Sequence, residues 1–293
     1  MRALKKVCAW KREWLLILPL FGLLIFVMIF PTFYTFLLSF SRFSLLDNKL
    51  ILSGFRNYLN LIPDEEFWVS LKNSVLFTGI TVPLELVLGL FLALWLNRQF
   101  KGKSLVRATL LLPWAIPTAL NAVIWRWMYN TDYGIFNDLL LKVGLIRTNI
   151  NWLGQIPLAM ISMMIVAIWK TSSFMALILL AGLQSIPNEV YEAAFIDGST
   201  KWTTFKSITL PLLKPAILVS LLFRTMDAFR TFDLPFTLTQ GGPVNSTETL
   251  SLYAYKVSFQ FLRFDYASSV IVVQFAILLV LSILYLRFLE VEL

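Results

Sequence analysis

"EVYEAAFIDGSTKWTTFKSITLP" occupies Glu189–Pro211 and stands between two long apolar runs, at about 157–182 and 214–236. It is mixed and polar in a chain that is otherwise oily. Pro187 and Asn188 suit a helix start, since proline is tolerated in the first turn and asparagine caps free N–H groups. Glu189 and Glu192 fall near that start, where carboxylates meet the positive end of the helix dipole. Gly198 suits the left-handed position that closes a helix. Ser199 or Thr200 then caps a second helix. In that helix Trp202, Phe205 and Ile208 recur every three residues as an apolar stripe, and Pro211 is expected to end it. The stretch predicts two short helices joined at a glycine turn, lying on a membrane surface.

The rest of the chain supplies the membrane. Of 293 residues, 58% are hydrophobic and only 14% charged. Mean hydropathy is +0.75. A soluble domain is roughly 45–50% apolar and about 25% charged, so the deviation points to a polytopic membrane protein. A spanning helix needs about 20 mostly apolar residues. Runs of that kind lie at about 14–40, 73–96, 106–128, 157–182, 214–236 and 266–286. The expected fold is all-α with six transmembrane helices. Residues 1–293 are expected to form one transmembrane domain, with no soluble domain and with 187–211 as a surface loop. The first run is far longer than the core of a cleavable signal and reads as a retained span.

Charge sets the expected orientation. The net charge is +8. Its basic residues are scattered over short connections rather than clustered with aromatics, so nucleic acid is not an expected partner; membrane lipid is. Arg2, Lys5, Lys6, Lys11 and Arg12 precede the first span. Arg98, Lys101, Lys103 and Arg107 follow the second, and Lys201, Lys206 and Lys214 follow the fourth. These connections hold more Lys and Arg than the longer ones on the other side. The positive-inside rule then puts both termini and the 187–211 loop in the cytoplasm.

Ionisable groups inside spans are costly and must face protein or water. The fifth run holds Arg224, Asp227, Arg230 and Asp233, two pairs at i,i+3 spacing, which makes each pair neighbours on a helix. They read equally as internal salt bridges or as the polar wall of a translocation path. Lys170 lies mid-span in the fourth run and is expected to pair with Asp227, Asp233 or Glu85. Glu85, just after Pro83, is read as structural. In the third run Pro113 and Pro117 bend or interrupt the helix. Asn121 and Trp125 beyond them form a combination suited to a sugar, the ring stacking and the amide bonding hydroxyls. An interfacial aromatic belt explains Trp125 as well.

Several motifs fail. A lone Cys8 and the absence of histidine remove disulfide frameworks, His/Cys zinc sites and Ser-His or Cys-His catalysis. "FKGKSL" at 100–105 has Gly-Lys-Ser, but position 97 is Asn where a phosphate loop needs Gly. "NST" at 245–247 matches a glycosylation acceptor and is expected to be idle. Gly79 and Gly89 read as helix packing sites.

Glu192-Ala193-Ala194, Asp197-Gly198 and Ile208-Thr209-Leu210-Pro211 together resemble the EAA loop of ABC importer permeases. "LLPWAIPTALNAVIWRWMYN", "IWKTSSFMALILLAGLQSIP", "LLFRTMDAFRTFD" and "TQGGP" look like the carbohydrate-uptake branch, of maltose and trehalose type, over about 14–288. The resemblance implies a type I importer permease fold in a prokaryotic inner membrane, and a subunit that is not an enzyme and binds no cofactor. In that family ATP and Mg are used by a dimer of separate ATPase subunits. Glu192, Ala193, Ala194, Asp197, Gly198, Leu210 and Pro211 would be the coupling residues that dock there. Asn121, Trp125, Lys170, Arg224, Asp227, Arg230 and Asp233 would lie along the substrate pathway. The implied partners are a second homologous permease and an extracytoplasmic sugar-binding protein. The implied cargo is a disaccharide such as trehalose or maltose, with glycerol phosphate or another polyol as the alternative. From the residues alone an ion-coupled secondary transporter using Lys170, Asp227 and Asp233 also stays open, though no inverted repeat is visible.

Overall fold

A computed structural model describes residues 17–44 and 49–288. The basic residues of 1–13, Cys8 and the start of the first expected span at Trp14 lie outside the described residues. The chain divides into two compact units, Met1–Pro63 with Ala254–Val273 and Asp64–Tyr253 with Gln274–Leu293.

In the first unit, the helix Ile17–Ser39 is apolar along its length and includes a wider π turn at Ile25–Ile29. At 1.5 Å per residue it is about 35 Å long, enough to cross a bilayer. Thr32 and Thr35 donate to the carbonyls of Met28 and Pro31, 2.7 and 2.9 Å away, which satisfies their hydroxyls inside the helix. A small antiparallel hairpin follows, Ser41–Ser44 with Lys49–Leu52, in register Ser41 to Leu52. The all-helical expectation did not contain it. The amide of Asn57 anchors it, donating to the carbonyls of Ser39 (3.0 Å) and Ser41 (2.8 Å).

The second unit holds the core. Its long helices are Glu65–Asn97 and Leu158–Gln184. The first starts earlier than the expected 73 because Asp64 caps it, its carboxylate accepting from the Phe67 N–H at 3.2 Å. Pro83 lies inside that helix without ending it. The two helices approach closely at Gly89, where a Cβ would stand 2.6 Å from the Cβ of Met175. Gly79, by contrast, has nothing within 4 Å of where its Cβ would stand among the described residues. An unforeseen glycine does that work: a Cβ on Gly182 would come within 2.4 Å of the Ala216 Cβ.

The third expected span is two helices, Lys103–Ala115 and Thr118–Met128, meeting at 89°. Pro113 is carried inside the first helix, and Pro117 makes the break. It has no N–H to donate and pushes Ile116 to extended geometry (φ −70°, ψ 129°). The fifth expected span ends early. Its helix runs Lys214–Phe229, and a short helix Asp233–Leu238 follows. Gln274 donates to the Phe229 carbonyl at 2.9 Å, satisfying a group the ended helix leaves free. Nor does Pro211 end the surface helix. A π turn at Phe205–Thr209 precedes it, so its missing N–H costs nothing, and the helical run Lys201–Leu212 continues to a 62° bend before Lys214. The last long helix is Phe264–Phe288. Among the described residues four helices are long and apolar enough to cross a membrane, and up to six segments are if each bent pair counts as one.

Candidate functional site

The buried charges come together around Arg224. Glu85 has no exposed surface and takes a two-pronged contact from the guanidinium, Nε to Oε2 at 2.7 Å and Nη2 to Oε1 at 3.0 Å. This fork matches carboxylate geometry and is among the stronger protein hydrogen bonds. The third prong, Nη1, reaches Asp227 one turn on, whose carboxylate is otherwise largely exposed. Glu85 is therefore the partner of Arg224, not of Lys170. Lys170 instead donates to the Trp114 carbonyl at 3.1 Å, one of the acceptors released where Pro117 breaks the helix. The expected Arg230–Asp233 pair does not form either. Helical geometry stops at Phe229, the i,i+3 neighbourhood is lost, and Arg230 donates to the Met226 carbonyl at 3.0 Å.

Lys170, Arg224, Asp227, Arg230 and Asp233 nevertheless line one open cleft of about 290 Å³, with Trp114 and Thr118 from either side of the broken helix. Those two residues escaped the sequence reading. Their signal was Pro117, which marks the break and frees both ends to face a cavity. Asn121 and Trp125 do not join this cleft. Both are buried, and Trp125 sits among Tyr129, Phe136 and Trp169 at ring separations of 5.4–5.6 Å. Burial pushes the Tyr129 phenol, beyond the end of that helix, up to about 12.

The surface hairpin is built as a closed turn. Its first helix is Asn188–Ile196, with Pro187 rather than Asn188 at the capping position. Ser199 N–H reaches the Ala194 carbonyl at 2.9 Å and Gly198 N–H the Phe195 carbonyl at 3.1 Å. This paired closure needs a left-handed residue, and Gly198 supplies it at φ +73°. Thr200 caps the second helix, accepting from Thr203 N–H at 3.2 Å. Tyr191 and Thr209 hydroxyls, 3.4 Å apart, tie the two arms. Glu192, Ala193, Asp197 and Pro211 are exposed, Leu210 is half-buried, and Ala194 turns inward. Phe195 and Ile196, which the sequence reading left unassigned, are each 83% exposed, and Trp202 is 71% exposed. Large apolar side chains this bare beside exposed carboxylates mark a contact surface.

Residues 85–291 match the family of binding-protein-dependent transport system inner membrane components. The chain belongs to the permeases of ABC importers. The trehalose/maltose transport permease MalF of Thermococcus litoralis is 42% identical over 94% of this chain and 93% of its own. The sulfoquinovosyl glycerol transport permease SmoG of Agrobacterium fabrum is 42% identical over 95% and 90%. A solved bacterial ABC transporter for import of the acidic polysaccharide alginate superposes with a TM-score of 0.84 at 25% identity, covering 99% of both chains. This permease is thus a multi-pass plasma-membrane protein of the sugar-uptake type. Permeases of this family perform no chemical step themselves.

Proposed function

We propose that this permease forms one half of the pathway for a sugar, a disaccharide of the trehalose or maltose kind, in an importer driven by ATP hydrolysed elsewhere. The observation that carries the ATP coupling is the hairpin: a rigidly closed turn presenting Phe195 and Ile196 bare beside Glu192. In this reading residues 1–293 are a single transmembrane domain of six spans, each bent pair counting as one, with both termini in the cytoplasm, as the basic residues of the connections on that side support. The hairpin then faces an ATPase dimer holding ATP and Mg. Glu192, Ala193, Ala194, Asp197, Gly198, Leu210 and Pro211 transmit the motion of that dimer. A second permease supplies the other half of the pathway, and an external binding protein delivers the sugar. Lys170, Arg224, Asp227, Arg230 and Asp233 form the polar wall, with Asn121 and Trp125 behind it. The Thermococcus relative, a trehalose/maltose transport permease, supports the disaccharide.

A second cargo class, an anionic glycoside or glycerol phosphate, is favoured by one feature of the cleft. Of the three bases lining it, only Arg224 forms an ion pair among the described residues, while Lys170 and Arg230 hydrogen-bond to main-chain oxygens. Both readings are tested by reconstituting the permease with its partner subunits and measuring uptake. We expect ATP-dependent disaccharide uptake that glycerol phosphate does not inhibit. Inhibition by the phosphate ester selects the second cargo, and uptake that follows an ion gradient without ATP contradicts the importer.

A further inference from the structure

Three arginines of the first unit converge on one polar pocket. Arg42 comes from the strand Ser41–Ser44, Arg56 from the short helix Arg56–Leu61, and Arg263 from the turn before the last long helix. The pocket holds about 280 Å³, and Asp265 is the one acid in its wall. All three arginines are exposed, so a ligand from outside can reach them. None of the three forms an ion pair among the described residues. Bases gathered around one cavity repel one another, and an anion between them relieves that repulsion.

The cluster is held in shape. The Asn57 amide, buried in the pocket wall, donates to the carbonyls of Ser39 (3.0 Å) and Ser41 (2.8 Å). It thereby ties the strand carrying Arg42 to the helix carrying Arg56. Leu262 is left-handed at φ +54°, a conformation that a side chain rarely adopts. It turns the chain so that the Arg263 N–H donates to the Val257 carbonyl at 3.0 Å. The Arg263 guanidinium lies 4.4 Å from the centre of the Tyr266 ring, whose hydroxyl donates to the Asn60 carbonyl at 3.5 Å. Stacking covers one face of a guanidinium and leaves its N–H edge free to bond an anion.

The surroundings say which anion. The pocket lies where two spans end: Arg42 is three residues past Ser39, and Arg263 immediately precedes Phe264. That is headgroup depth, whichever way the chain is oriented. Beside the arginines the same segment is apolar and exposed. Phe55, Leu59 and Ile62 recur at i, i+4 and i+7, one face of the short helix and its flanks, and are between 63 and 69% exposed. Ile51 and Leu52 of the hairpin are exposed too. A basic face and an apolar face on one segment at a span end suit chain lying in the membrane interface, its apolar side towards the acyl chains and its bases among the phosphates. We propose that the pocket of Arg42, Arg56 and Arg263 binds the phosphate of an anionic phospholipid at that interface. A free phosphate meets the guanidiniums but leaves the face of Phe55, Leu59 and Ile62 in water. Three bases against one acid favour a headgroup of net negative charge over a zwitterion.

The test uses the assembled importer in nanodiscs of phosphatidylcholine with phosphatidylglycerol, released into detergent and weighed by native mass spectrometry. We expect the unaltered complex to retain phosphatidylglycerol in preference to phosphatidylcholine. Retention falls about fivefold in Arg56→Gln, and about fivefold again when Arg263→Gln is added, the scale of one basic residue at an anionic surface. Arg147→Gln removes an exposed base outside the pocket and leaves retention unchanged. Inorganic phosphate does not displace the lipid. Unchanged retention in the double variant, an equal loss in Arg147→Gln, or displacement by inorganic phosphate overturns the proposal. So does a double variant that keeps its lipid but no longer binds a partner subunit, since the pocket is then a protein contact.

Discussion

Glu85 has no contact with solvent, so its charge is tolerable only because Arg224 meets it with two nitrogens. Removing one member of such a buried pair costs about 3–5 kcal/mol, because the other charge is left desolvated. Glu85→Ala should therefore strongly lower the thermal midpoint of the purified complex. Asp227→Ala removes the exposed partner of the same arginine and should cost less than about 1 kcal/mol, as for surface ion pairs. Its effect belongs in transport: uptake falls while the complex stays assembled, and normal uptake leaves Asp227 with no part in the pathway. That Arg224 would pair with Asp227 was legible from their i,i+3 spacing. That Glu85 serves the same arginine was not. The pairing depends on how two helices far apart in sequence are rotated, and i,i+3 arithmetic misled at Arg230 because the helix had already ended.

At the scale of elements, glycine separates what pattern shows from what packing decides. Gly79 and Gly89 look alike in the sequence, yet among the described residues a Cβ would have nothing within 4 Å at one and would meet a methionine side chain at the other. Gly182→Val should destabilise the complex by about 1–3 kcal/mol, since its Cβ collides with Ala216. Gly79→Ala should be neutral or slightly stabilising, helix propensity being its only consequence. Melting curves of the two variants side by side check both. At Gly198 backbone conformation, not space, is limiting. A side chain there is strained at φ +73° by about 1–2 kcal/mol, and relief of that strain opens the hairpin turn. Gly198→Val should reduce ATP-coupled uptake more than it reduces assembly, measured on the same preparation. Prolines divide in the same way. Pro117 breaks its helix as local sterics dictate, whereas Pro211 is absorbed by a π turn that no residue pattern announces.

For the whole molecule, composition and six apolar runs were enough to recognise a multi-pass membrane protein, and the fixed spacing from Glu192 to Pro211 pointed to the importer permeases. The cleft was only partly legible: five of its charged residues were named in advance, but Trp114 and Thr118 enter it through an 89° bend that sets the geometry of the whole third segment. The central claim is that the hairpin is the handle through which ATP hydrolysis moves these helices. Phe195 tests it most directly, because at 83% exposed it contributes almost nothing to the fold of its own chain. The measurement is ATP-dependent sugar uptake by proteoliposomes carrying the complete importer with Phe195→Asp. Uptake and ATPase attachment should both be lost while the permease pair remains folded and inserted. Uptake at the unaltered rate, with the ATPase still bound, would contradict it.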